Sequence, residues 1–284
     1  MKQAKQKLLS AMGIFGTVGI FVKYIPMSSA AIALCRGLLG ALFLLCIMFV
    51  CGKRFNGTAI RKNFLILFLS GAAMGFNWIL LFESYNYTTV ATATVCYYLA
   101  PLFLILASPL LAERMTVKKA VCVGIALVGL VFVSGMVEDG LPEISELKGI
   151  GLGIGAALLY ATVMLLNKKL SPIPAYDKTI VQLSTSVIVI LPYLLLTQGL
   201  MFPQLTAVQW GLLLVVGFVH TGVAYALYFG ALKDLKAQTI AIFSYLDPVI
   251  AVVLSAVVLH EKIGPWGIAG TVLILGSALI SELP

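Results

Sequence analysis

The chain has 284 residues, of which 61% are hydrophobic and 11% are charged, whereas soluble domains average about 45–50% and about 25%. So much apolar surface excludes a water-soluble fold. The net charge of +8 lies in short basic patches between apolar runs, which argues against nucleic-acid binding and is typical of the cytoplasmic loops of membrane proteins.

Apolar runs of about 20 residues recur along nearly the whole chain, and each is long enough to cross a hydrocarbon core of about 30 Å as a helix. The sequence therefore predicts an all-α membrane protein with ten transmembrane helices. The predicted spans, in chain order, are residues 7–25, 28–51, 62–84, 88–111, 117–136, 149–168, 179–198, 208–230, 238–259 and 265–282.

The positions of Lys and Arg predict the orientation of these spans. With the N-terminus inside, the cytoplasmic segments hold fifteen of these residues and the outer segments hold three, Lys23, Lys148 and Lys262. Basic residues are retained on the cytoplasmic side of a membrane. We therefore expect both termini to be cytoplasmic in a plasma (inner) membrane.

One stretch of sequence occurs twice. Residues Phe82–Arg114 return 147 residues later as Phe229–Lys262, and the motif Tyr-Leu-x-Pro at 98–101 aligns with the same motif at 245–248. Both copies end in an acidic residue followed by a basic one. Self-similarity of this kind indicates an internal repeat.

The repeat divides the chain into two halves of five helices each. The first is 1–137, the second is 149–284, and an outer loop at 138–148 connects them. An odd number of helices per half means that the second half enters the membrane from the opposite side. The sequence thus predicts inverted repeats, related by a pseudo-two-fold axis in the membrane plane.

These features resemble the EamA-type branch of the drug/metabolite transporter superfamily over essentially the whole chain. The resemblance rests on two five-helix halves that each contain Tyr-Leu-x-Pro and then Glu-Arg or Glu-Lys, and on a basic residue, Arg36, in the second span. It implies a secondary transporter, in a family with many exporters of amino acids, metabolites and drugs.

Charged side chains inside predicted spans are the first candidate site residues, because each costs at least about 2.5–3.5 kcal/mol to insert. Asp247 precedes Pro248 in the ninth span, and its counterpart in the first half is Ala100. We expect it to bind substrate or a proton. The alternative is a structural partner for backbone groups freed at the proline.

Arg36 and Glu83 are two further charges in the outer half of the predicted bundle. They either form a structural salt bridge or take part directly in binding or gating. His220, in the middle of the eighth span, is a third candidate for proton coupling because histidine titrates near neutrality. A hydrogen-bonded packing histidine is the alternative.

Deep polar and aromatic residues complete the predicted site, beside prolines that should break their helices and face the central cavity. Acids with aromatic side chains suit a cationic or zwitterionic substrate, although aromatic faces also receive apolar substrates. The predicted binding residues are Asn77, Trp78, Glu83, Tyr97, Tyr98, Tyr245 and Asp247; those for proton coupling are Asp247, Glu83 and His220; structural or gating residues are Arg36, Pro101 and Pro248.

The sequence thus predicts a transporter that moves a small organic metabolite between its two halves by alternating access. Spans 3, 4, 8 and 9 should line the site, with spans 1, 2, 6 and 7 as moving walls. Proton coupling is favoured because no phosphate-binding loop motif is present, and neither a metal nor another cofactor is expected. Monomer and homodimer both remain open. The alternatives are an uncoupled facilitator, a lipid-precursor flippase, a non-transporting scaffold and, least favoured, an intramembrane enzyme.

Overall fold

A computed structural model describes residues 2–107, 116–133, 137, 143–197, 199, 203–232, 235 and 243–283. Every element of regular secondary structure in these ranges is helical, which confirms the all-α prediction. The repeated Glu-Arg pair at 113–114 lies outside the described residues, as do residues 138–142 of the predicted outer loop and the start of the predicted ninth span.

The structure describes seven helices in the first half of the chain. Short α3 precedes α4 directly, and α5 and α6 together occupy the predicted fourth span. Their bounds are α1 Lys2–Lys23, α2 Ser29–Val50, α3 Gly57–Lys62, α4 Phe64–Ser84, α5 Val90–Tyr97, α6 Ala100–Leu106 and α7 Val117–Val133.

The structure describes seven further helices in the second half, of which α10, α11 and α12 are continuous and α11 is a π-helix. Their bounds are α8 Ile144–Lys168, α9 Ala175–Thr197, α10 Ala207–Leu214, α11 Val215–Val223, α12 Ala224–Leu232, α13 Leu246–Val258 and α14 Pro265–Glu282.

Five helical stretches within the described residues are long and apolar enough to cross a membrane. They are α2, α4, α8, α9 and the continuous helix Ala207–Ala231. Shorter apolar helices cover Val90–Leu106, Leu246–Val258 and Pro265–Ser281. The chain is therefore a multi-pass membrane protein.

Polar residues placed directly before apolar runs start several of these helices. Ser28 caps α2 and Thr89 caps α5, each accepting a hydrogen bond from a backbone N–H in the first turn. Thr206 and Gln209 form a reciprocal capping box at the start of α10. Such caps satisfy N–H groups that have no partner within the helix.

The two copies of Tyr-Leu-x-Pro interrupt helices at the same point. α5 ends at Tyr97, Tyr98 is its C-cap, and α6 begins with Pro101 in its first turn. In the second copy Tyr245 is a turn residue and α13 begins at Leu246. Proline is tolerated in the first turn of a helix because the N–H that it lacks would have no partner within the helix there.

Helices of the two halves pack mainly against each other. In the first half, α1 packs on α12 and α13, α2 on α9 and α11, α4 on α8 and α9, and α5 on α8 and α13, while α7 pairs with α14. Small residues permit the close crossings: a Cβ added to Gly270 of α14 would lie 2.5 Å from the carbonyl oxygen of Gly129 in α7. Such close backbone approach is typical of helix packing in membranes.

Candidate substrate cavity

A cavity of about 550 Å³ lies between the two halves, a volume within the usual range for a small-molecule site. The first half contributes residues of α1, α2, α4, α5 and α6, and the second half contributes residues of α8, α12 and α13. Helices of the predicted first, second and sixth spans therefore line it, in addition to those of the third, fourth, eighth and ninth.

Arg36 is the basic residue of the cavity wall. Only 6% of its surface is exposed, and its guanidinium carbon lies 4.4 Å from the ring centroid of Trp78. Its Nε donates to Oγ1 of Thr221 at 2.9 Å, the one hydrogen bond that Arg36 makes among the described residues. The aromatic ring offsets part of the cost of burying the charge, but the terminal Nη groups remain available to an anion.

Asp247 is the acidic residue of the same cavity. The hydroxyl of Tyr98 donates to its Oδ2 at 2.5 Å, and the residue lies in the first turn of α13, where the helix dipole favours a negative charge. Gly16 of α1 packs against its backbone: a Cβ there would lie 2.7 Å from the carbonyl oxygen of Asp247. Within the described residues the carboxylate thus has one neutral donor, and it faces the cavity.

Aromatic side chains form much of the remaining wall. Tyr97 stacks on Tyr160 with ring centroids 5.2 Å apart, and Tyr98 lies between Tyr97 and Tyr245, at 5.9 Å and 6.2 Å. All four rings line the cavity. They give it apolar surfaces flanked by the two charges, Arg36 and Asp247.

Asn77 joins the cavity wall to the opposite half. It is completely buried, its Nδ2 donates to the carbonyl oxygen of Ala156 in α8 at 2.5 Å, and Tyr97 donates to its Oδ1 at 3.5 Å. Because a buried amide must be hydrogen-bonded, these bonds position Tyr97 as well as the α4–α8 contact.

The sequence matches a family model, the EamA-like transporter family, at residues 7–135 and 147–282. The chain belongs to the EamA-like transporter family. This confirms the resemblance stated from the two repeated halves, and it makes the chain a transporter rather than an enzyme.

Similar proteins agree with this family. An uncharacterized transporter, YxxF, of Bacillus subtilis strain 168 is 31% identical over 254 residues, or 88% of this chain and 80% of that one. A Salmonella typhimurium protein described as a "probable amino-acid metabolite efflux pump" is 28% identical over 183 residues, or 60% and 59%. A solved crystal structure shares the fold, with a TM-score of 0.68, 16% identity, and coverage of 99% and 96%.

Glu83 lies away from the cavity of this EamA-like transporter. Its Oε2 accepts hydrogen bonds from Ser29 at 2.6 Å and from Asn86 at 3.4 Å, and it is not among the lining residues. No ion pair joins it to Arg36 within the described chain. The salt bridge considered from sequence is therefore not formed, because each residue has other partners.

His220 is buried behind the cavity wall, with 1% of its surface exposed. Its Nδ1 lies 3.2 Å from the carbonyl oxygen of Val215 and its Nε2 lies 2.8 Å from Oγ1 of Thr17. Since a carbonyl only accepts, Nδ1 is the donor in the first contact. The ring also packs edge-on against Phe21 at 4.8 Å, so its contacts link α1 to α11.

The two prolines differ in their relation to the cavity. Pro101 lines it, as expected, but Pro248 is buried and is not among the lining residues. One residue along a helix is a rotation of about 100°, so Asp247 facing the cavity turns Pro248 away from it. The expectation that both prolines face the cavity is wrong for Pro248.

Several side chains of this site were not predicted from the sequence, among them three tyrosines and a threonine. Tyr160, Tyr225 and Tyr228 line the cavity, and Thr221 binds Arg36. The spacing of Tyr225 and Tyr228 places them on one helix face, which was a usable signal for two of them. Thr221 gave none, since its role depends on the crossing of α2 and α11.

Proposed function

We propose that this EamA-like transporter moves a small zwitterionic metabolite, of the amino-acid type, across the plasma membrane. The observation that supports this most directly is that a buried cation, Arg36, and an acid, Asp247, both lie in the wall of one cavity. No ion pair joins the two in the described part of the chain, so each is available to the opposite charge of a substrate. The name of the Salmonella relative agrees with this class.

Each of the two charges would bind the oppositely charged group of the substrate. A carboxylate would accept hydrogen bonds from the Nη groups of Arg36, since guanidinium binds carboxylate through paired donors. An ammonium group would lie against Asp247 and the surrounding tyrosine rings, through ion-pair and cation–π contacts. The apolar walls leave room for an aliphatic or aromatic side chain.

The proposed architecture is ten spans in two inverted repeats, 1–137 and 149–284, with both termini cytoplasmic. Its support is the pattern of helix contacts. In such a repeat, each contact between two helices should recur between their counterparts in the other half. The counterpart of the α4–α8 contact is that of the helix at 207–231 with α1, and the counterpart of the α1–α13 contact is that of α8 with α5. All four contacts are present. The α2–α9, α7–α14 and α5–α13 contacts map onto themselves.

Alternating access is the proposed mechanism of transport. At one end of the bundle, Lys23 donates to the backbone carbonyl of Tyr85, Ser29 donates to Glu83, and the Glu261 carboxylate accepts from the N–H of Val90 at 2.9 Å. In the proposed topology this end is outside. These hydrogen bonds would close the outer side and would have to break when the cavity opens outward.

A proton gradient is the proposed source of energy for transport, and Asp247 is the proposed site of proton coupling. A carboxylate that can be neutralised either by a proton or by an ammonium group makes their occupancy mutually exclusive. If the transporter changes its orientation only when this carboxylate is neutralised, that exclusion couples proton movement in one direction to substrate movement in the other. His220 and Glu83 lie off the cavity surface and are less suited to this role.

The test compares three compounds that share one side chain: L-phenylalanine, phenethylamine without the carboxylate, and 3-phenylpropanoate without the ammonium group. Binding is measured by thermal unfolding of the purified protein, and transport by counterflow in proteoliposomes. Because a hydrogen bond to a charged group contributes about 1.5–3 kcal/mol, phenylalanine should bind at least about tenfold more tightly than either analogue. Equal binding of the amine or the acid contradicts the proposal, and counterflow without gradient-driven uptake indicates an uncoupled facilitator.

A further inference from the structure

The π-helix α11 crosses α2 at unusually close range, beside Arg36. A Cβ added to Gly40 of α2 would lie 2.4 Å from Cγ2 of Thr221, and one added to Gly217 or Gly222 would lie 2.4 Å from Leu39 and 2.5 Å from Phe43. Glycines on both helices therefore permit the contact. The crossing fixes the position of Thr221 relative to the α2 backbone.

Thr221 is completely buried, and its hydroxyl group both donates and accepts a hydrogen bond. Oγ1 donates to the carbonyl oxygen of Val216 at 3.2 Å and accepts from Nε of Arg36 at 2.9 Å. A hydroxyl has a single proton, so donation to Val216 turns the oxygen lone pairs toward Arg36. The acceptor lies five residues back, a separation that is characteristic of the wider π-helical turn.

This bond determines which side of the guanidinium faces the substrate. With Nε held by Thr221 and one face of the group against Trp78, the Nη groups, which make no hydrogen bond within the described residues, are left for the cavity that Arg36 lines. We propose that Thr221 is a positioning residue, which orients Arg36 for the carboxylate of the substrate. The inference rests on the zwitterionic substrate proposed above, and it gives the π-helix a role in specificity.

A purely structural role for Thr221 makes a different prediction. If Thr221 only fills the α2–α11 crossing, its replacement lowers the free energy of unfolding and weakens the binding of every ligand alike. If it orients Arg36, loss of its hydroxyl weakens the binding of carboxylated ligands selectively. The ratio of the dissociation constants for phenethylamine and L-phenylalanine separates the two cases.

The experiment measures that ratio for wild type and for Thr221→Val, which removes the hydroxyl and keeps the branched shape. We expect the ratio to fall about tenfold, since a misoriented guanidinium loses a hydrogen bond to the carboxylate of L-phenylalanine, while phenethylamine binds as in wild type. Thr221→Ser keeps the hydroxyl and should keep the ratio. Thr179→Val is the matched control, because Thr179 is also a buried helical threonine, bonded to the carbonyl of Ala175, and lies outside the cavity.

The possible outcomes are distinct. If Thr221→Val keeps the wild-type ratio, the positioning role is wrong and the proposed function stands. If the wild type itself binds phenylalanine no better than phenethylamine, the proposed function is wrong and the inference with it. Should Thr221→Val fail to fold, Thr221→Ala also removes the hydroxyl without the second branch, and the same change of ratio is expected.

Discussion

Asp247 is the only acidic residue lining the cavity among the described residues. Asp247→Asn keeps the side-chain shape and its acceptor for the Tyr98 hydroxyl but removes the charge. We expect gradient-driven uptake to fall at least tenfold, because the side chain can no longer take up and release a proton. Counterflow needs no net proton movement and should persist once the substrate concentration is raised at least tenfold, to offset the lost contact with the ammonium group. Both are measured in proteoliposomes, with L-phenylalanine as substrate.

Glu83→Gln is the control for this variant, since Glu83 is a second acid of the predicted site but lies off the cavity. It should keep gradient-driven uptake, because the amide oxygen of Gln can still accept the hydrogen bond from Ser29. Uptake by Asp247→Asn at the wild-type rate would show that Asp247 only stabilises the start of α13. A loss of uptake in Glu83→Gln alone would transfer the coupling role to Glu83.

Among single residues, the sequence identified the charges of the site better than the residues that they contact. Arg36 and Asp247 were recognisable because a charge in an apolar run is costly and needs a function or a partner. The sequence did not show that Thr221 would bind Arg36, 185 positions away. Such a contact depends on tertiary packing, to which local spacing is insensitive.

Among the elements, the repeated motif predicted structure well and the π-helix was not foreseen. Tyr-Leu-x-Pro predicted matching breaks because proline cannot donate a hydrogen bond in a helix interior, and both copies interrupt a helix at the tyrosine.

Val215–Val223 reads as ordinary apolar helix, since a π-turn changes the hydrogen-bond partner and not the composition. Its wider turn is stabilised by packing on α2 and by the bonds of His220 and Thr221 to carbonyls five residues back.

The contact between α7 and α14 gives a prediction about stability. Gly270→Ala adds a Cβ that would lie 2.5 Å from the carbonyl oxygen of Gly129, so the two helices must separate. Overpacking typically costs about 1–3 kcal/mol, and we expect a loss of this size in the free energy of unfolding, measured by denaturant titration in detergent micelles. Gly276→Ala in the same helix meets no atom within 4 Å and should be neutral; an equal loss in both variants would contradict close packing as the cause.

Over the whole molecule, the two halves depend on each other for most of their packing. Almost every long helix of the first half has its main partner in the second, and the cavity is built from both. If the halves are inverted, as proposed, they can exchange their conformations, because a movement that opens one side is repeated, inverted, on the other. Transport by the proposed route therefore requires that the two halves cross the membrane in opposite directions.

The orientation of the chain is the most direct test of that requirement. Glu143, exposed just before α8, should lie outside the cell, and Lys62, exposed at the end of α3, should lie in the cytoplasm, because the basic residues are distributed fifteen to three. With the five native cysteines replaced, Glu143→Cys should react with a membrane-impermeant maleimide in intact cells. Lys62→Cys should react only after the membrane is permeabilised. The reverse labelling would place both termini outside, and labelling of both variants in intact cells would exclude an odd number of spans between these two positions.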